Sequence, residues 1–146
     1  MATNFAVVSS DMPIPDAARR MMEIDTGAAA VVDGGTFLGV ISERDILALV
    51  RDGAEVSASV GDCMTRHVMT AAPTTSLPEA MALMVDGRFR HLPIVQDGRV
   101  IGMISMRDLM AWASLRLRHG AALDDHDDVD TTELIATIHR MRTGAA

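Results

Sequence analysis

Ser42, Arg44 and Asp45 form a hydroxyl, guanidinium and carboxylate set within four residues, and Ser105, Arg107 and Asp108 repeat it. The two sets close near-identical heptads, GVISERD at 39–45 and GMISMRD at 102–108. A Ser hydroxyl donates to a phosphate oxygen, and a guanidinium grips phosphate through two parallel N–H bonds. An Asp one turn along accepts two adjacent hydroxyls, as the acid of dinucleotide folds does on a ribose. The same spacing has a plainer reading. Ser at a helix N-cap with an acid three residues later resembles a capping box, although Asp is a poorer third residue than Glu or Gln. Both readings place the set where a strand turns into a helix, and there free N–H groups and a partial positive charge favour anions. Gly39 and Gly102 precede the set inside a strand, which marks a close approach by another group. A phosphate donor, a ribose acceptor and an unobstructed glycine strand together describe a nucleotide cradle.

The elements that position the heptads are themselves duplicated. Gly39 and Gly102 differ by 63, and Pro15/Pro78, Ala17/Ala80, Met21/Met84, Val32/Val95 and Gly35/Gly98 keep that offset without a gap. The duplication covers roughly 4–52 and 67–115. Each copy opens with a short extended segment, Phe5 to Val8 or Val68 to Ala71. A helix follows with Pro15 or Pro78 in its first turn, where a missing N–H costs nothing. Two apolar runs split by DGG or QDG then predict a hairpin. A second helix is expected over Glu43 to about Arg51 and over Met106 to about Leu117. The order β-α-β-β-α, twice, predicts an α+β fold of two pseudo-twofold repeats whose sheets pack together, because one copy buries too little alone. Boundaries fall at 1–56 and 57–118, with 53–66 as a connector and 119–146 outside the duplication.

G-h-h-S-x-R-D after a β-α-β hairpin, twice in tandem, resembles the cystathionine-β-synthase (CBS) domain pair, or Bateman module. FRHLPIVQDGRVIGMISMRDL is its most recognisable stretch, and the resemblance covers about residues 4 to 116. It implies adenosyl ligands, namely AMP, ADP, ATP, S-adenosylmethionine or NAD, with Mg2+ accompanying a polyphosphate, in two clefts between the paired repeats. It implies a regulatory sensor without catalysis, a homodimer of paired modules, and a regulated protein whose identity the sequence does not give. Carried over residue by residue, Asp45 and Asp108 would hold ribose hydroxyls, and Ser42 and Ser105 would touch phosphate. Val7, Val8, Thr70 and Ala71 would wrap the adenine, and Arg90, His91 and Pro93 would flank base and phosphates. The second repeat offers Arg90, His91 and Arg107 where the first offers Gly27, Ala28 and Arg44. The second site is therefore expected to prefer the more highly charged ligand. His91 reads equally as a structural hydrogen-bonder, and Arg44 and Arg107 also read as helix-surface charges.

Composition narrows the alternatives. The chain of 146 residues carries a net charge of -7 and no Lys. That excludes Schiff-base chemistry and a Walker-type loop. No basic stripe stands out, which argues against nucleic acid. No apolar run reaches the length of a membrane helix, and the N-terminus does not read as a signal peptide. Cys63 stands alone, which suits a reducing, cytoplasmic setting. Its neighbour Asp62 would raise the thiol pKa, against a redox role. No nucleophile–base pair or HExxH motif appears among the scattered His residues, so no metal or catalytic site is expected. Two other classes remain open, an oligomerisation scaffold with empty clefts and a weak nucleotide hydrolase. Residues 119–130 read as an acidic linker, and 131–142 as a short helix with an apolar stripe of Leu134, Ile135, Ile138 and Met141.

Overall fold

The computed structural model describes residues 5–53 and 57–118. The expected tail helix lies outside them. The described chain forms two compact units, one built on 5–68 with 97–100, the other on 69–96 with 101–118.

In the first unit, strand β1 (Ala6–Val8) leads into helix α1 (Ile14–Ile24), then strands β2 (Ala28–Asp33) and β3 (Thr36–Ser42), then helix α2 (Glu43–Arg51). β1 runs parallel to β2, with Ala6 opposite Ala29 and Val8 opposite Val31. β3 returns antiparallel on the other edge of β2, with Ala28 opposite Ser42 and Val31 opposite Gly39. The parallel pair needs a crossover, which α1 supplies. Pro15 sits in the first turn of α1, where its missing N–H is harmless. Ile14, Ala17 and Met21 bury the face of α1 that meets Val8, Ala29, Val31 and Ile41.

The second unit repeats the plan with helix α4 (Leu77–Gly87), strands β4 (His91–Gln96) and β5 (Arg99–Ser105), and helix α5 (Met106–Arg118). In its core, Leu77, Ala80, Met84, Leu92, Ile94 and Ile104 match buried residues of the first core at the 63-residue offset, while buried Leu109 and Trp112 match the partly buried Ile46 and Leu49. Ser76 caps α4 reciprocally with Glu79. Both hairpins turn on two residues of positive φ, Gly34 (55°) with Gly35 (82°), and Asp97 (54°) with Gly98 (75°). Type I′ turns require this, and their twist suits a strand pair. The helices before the hairpins also end alike, in a left-handed residue at Asp25 (φ 57°) or Arg88 (φ 58°). The N–H groups of Thr26 and Phe89 then close back on the carbonyls of Met21 and Met84.

Two segments differ from expectation. Val68 to Ala71 does not form a strand. Only Ala71 bridges, parallel to Ile94, through Ala71 N–H to Pro93 O (2.9 Å) and Val95 N–H to Ala71 O (2.8 Å). Extending this ladder upstream needs an N–H at position 93, and proline has none. The supposed connector 53–66 is part of the first unit. It carries helix α3 (Val60–Cys63), whose Val60 is fully buried in the first core. Ile14 N–H bonds to Ala58 O (3.1 Å), and Val60 N–H bonds to Met12 O (2.9 Å).

Candidate functional site

Each heptad ends at a strand-to-helix junction tied to the residue just before the preceding strand. Glu43 N–H, the first of α2, donates to Gly27 O at 2.9 Å, and Met106 N–H, the first of α5, donates to Arg90 O at 2.8 Å. These bonds are the same bond 63 residues apart. They bring the backbone before β2 or β4 beside the helix N-terminus. Ala28, Ser42, Arg44 and Asp45 are thereby gathered in the first unit. Arg90, Ser105, Arg107 and Asp108 are gathered in the second. His91 opens β4 and is half-buried, and Arg44, Arg90 and Arg107 are exposed.

The helix cap forms at both junctions. Asp45 Oδ2 accepts from the Ser42 N–H (2.9 Å) and hydroxyl (3.1 Å), and Ser42 Oγ accepts from Asp45 N–H (3.3 Å). Asp108 Oδ2 accepts from Ser105 N–H (3.0 Å), and Ser105 Oγ accepts from Asp108 N–H (3.0 Å). The capping reading of the Ser and Asp pairs is therefore correct in the ligand-free chain. It does not displace the ligand reading, because a carboxylate has more lone pairs than one cap uses. The two carboxylates differ in setting. Asp108 is only 6 % exposed, whereas Asp45 is half-buried.

The residues expected at the base lie elsewhere in each unit. Val7 and Val8 pair with Ala30 and Val31 across β2 from β3. Two strand spacings, roughly 10 Å, separate them from the Ser42 edge. One repeat does not bring its own opening strand and its own Ser–Asp pair to one point. Ala71 lies against Pro93, with Ala71 and Pro93 buried and Thr70 exposed.

The glycine strand is not unobstructed in the first unit. A Cβ at Gly39 would lie 2.2 Å from Thr65 O and 2.9 Å from Met64 Cε. The close approach that Gly39 permits is by the chain's own residues 64–66. Thr65 and Val40 exchange two backbone bonds, of 2.8 and 3.0 Å, in an antiparallel bridge. Thr65 Oγ1 also donates to Asp45 Oδ1 at 3.3 Å.

Two residues of consequence escaped the sequence reading. Thr65 lies twenty residues from Asp45, and no local pattern joins them. Glu43 was visible in the heptads, where the first copy has Glu and the second Met106. It adds a second acid beside Asp45 in the first turn of α2, while Asp108 is the acid of the first turn of α5. A carboxylate there cancels part of the field that would draw a phosphate.

Cys63 lies below this junction, half-buried. Its thiol pKa is raised, first by burial and then by the charges of Asp62 and Asp45. Asp33, at the end of β2, has its pKa lowered, first by the Ser10 hydroxyl and then by the Ser10 N–H, which it accepts at 2.9 Å. Among the described residues no cluster of three or more potential metal ligands occurs, and no helix is long and apolar enough to cross a membrane.

The arrangement is similar to that of known proteins. The CBS domain-containing protein CBSX3, mitochondrial, of Arabidopsis thaliana is 37% identical over 109 residues, which are 70% of this chain and 53% of that protein. This chain therefore spans about half the length of that relative. The CBS domain-containing protein YhcV of Bacillus subtilis is 33% identical over 110 residues, 75% of this chain and 79% of that one. The crystal structure of CBSX2 in complex with AMP superposes with a TM-score of 0.68 at 29% identity, covering 79% of this chain and 90% of that one. A model of the CBS domain matches residues 1–52 and 60–114, so the duplicated unit is a tandem of CBS domains and the chain belongs to that family.

Proposed function

We propose that this chain is a regulatory sensor that binds an adenine nucleotide at its Ser-x-Arg-Asp junctions and transmits occupancy to a partner. The observation that carries this reading is the pair of equivalent helix starts. Each presents a Ser hydroxyl, a helix N-terminus, a guanidinium and a carboxylate at one junction. This set suits a phosphorylated ribose better than a bare anion or a bare sugar. The AMP held by CBSX2, at 29% identity, supports the same ligand class.

The two junctions differ in charge. The second has Arg90 and Arg107 with Asp108, and the first has Arg44 with Asp45 and Glu43. The second site therefore takes the more phosphorylated ligand, with Mg2+ accompanying a polyphosphate. The ordering AMP, ADP, ATP, S-adenosylmethionine and NAD is left to measurement.

Transmission is read as a change in association. Exposed apolar side chains recur at equivalent helix positions, Met22 with Val85 and Leu47 with Met110, all at least 66 % exposed. Such repetition on two helix pairs suits a homodimer of modules. A thermal-shift panel with the five adenosyl compounds, with and without Mg2+, tests the reading. A ligand at a hundredfold excess over its dissociation constant stabilises by about 2.7 kcal/mol if it binds only the folded chain. No shift with any compound would favour the scaffold reading, and turnover of ATP to ADP would favour the hydrolase.

A further inference from the structure

Most of the acceptor capacity of Asp45 is taken up within the chain itself. A carboxylate offers about four lone-pair positions. Among the described residues, Asp45 Oδ2 takes two donors from Ser42, and Oδ1 takes the Thr65 hydroxyl. One position is left, whereas the vicinal hydroxyls of a ribose bring two protons. Resting on the nucleotide reading above, we infer that Thr65 is an internal competitor for the first repeat's ribose acceptor. Its hydroxyl occupies Asp45 until a ligand displaces it.

The geometry assigns the competition to the side chain alone. Two backbone bonds to Val40 and the contact with Gly39 fix the Thr65 main chain against β3. The hydroxyl reaches Asp45 at 3.3 Å from an exposed position. Rotation about χ1 releases it without disturbing the bridge. Thr65 is thus a positioning residue that lowers affinity at the first junction, on top of the charge effect of Glu43.

The test follows each junction separately. Uniformly 15N-labelled protein is titrated with AMP, and the amides of Asp45 and Asp108 report the two repeats. Thr65→Val removes the hydroxyl, keeps the volume and keeps both backbone bonds. The expected result is that the Asp45 midpoint tightens by about fivefold, the factor that a net hydrogen bond of ~1 kcal/mol corresponds to. The Asp108 midpoint stays unchanged, and Thr65→Ser restores the wild-type value. Equal Asp45 midpoints in wild type and Thr65→Val would overturn the competitor role and leave nucleotide binding intact. Failure of both amides to respond in every variant would overturn the nucleotide reading, and the competitor role with it.

Discussion

A carboxylate that caps a helix cannot be removed without cost, so Asp108 is expected to report on stability and on ligand together. Asp108→Ala strips the acceptor from Ser105 N–H at a nearly buried site. Loss of such a cap costs roughly 1–2 kcal/mol, to be read as a lower urea midpoint. Asp108→Ala should also weaken nucleotide binding more than Asp45→Ala, because the second junction has two guanidinium groups to one acid and the first has one to two. Equal losses in calorimetric titrations would remove the asymmetry. Asp33 gives a pH signature. Its native pKa lies below the ordinary aspartate range, so above that range the folded chain keeps a charge that the unfolded chain keeps at no advantage. The stabilisation is full above the unfolded pKa and is lost as pH falls through the native one. Ser10→Ala should bring the Asp33 carbon-detected titration back toward the ordinary value and shift acid unfolding to higher pH. The heptads themselves revealed Ser42, Asp45, Ser105 and Asp108, because capping chemistry is local. Thr65 was hidden because its contact with Asp45 depends on how residues 57–66 fold back.

Among the elements, the helices and hairpins were legible and the ladder next to Pro93 was not. Pro15 and Pro78 mark helix starts, and DGG and QDG mark turns, by rules that act within a few residues. Whether 68–70 would pair depended on an N–H missing from a strand some twenty residues later. The connector looked like a linker because it falls between the two repeats, yet Val60 is buried in the first core and Cys63, also of α3, packs against it. The same segment makes Gly39 irreplaceable. Gly39→Ala would drive a Cβ into the Thr65 carbonyl, and overpacking against backbone costs about 1–3 kcal/mol. A thermal melt should show that loss. The amides of Val40 and Thr65 should lose hydrogen-exchange protection together, since they share one bridge.

For the whole molecule, the duplication was legible and the apolar surface that the helices leave exposed was not. Sequence periodicity shows which helix face is apolar, but not which apolar residues stay outside. Met22, Leu47, Val85 and Met110 are apolar helix residues that the fold leaves on the surface. Leu47→Glu combined with Met110→Glu should convert a dimer to a monomer in light scattering, with far-ultraviolet dichroism unchanged. A dimer that survives both changes would place the interface elsewhere.

The left-handed residues that end α1 and α4 have a bearing on how the chain could be improved. Asp25 and Arg88 hold the same φ although their side chains have nothing in common. Neither is glycine, the residue that adopts this backbone without steric cost. The turn is thus present in both copies with its steric cost unrelieved. Glycine at the two positions is a route to a hardier protein.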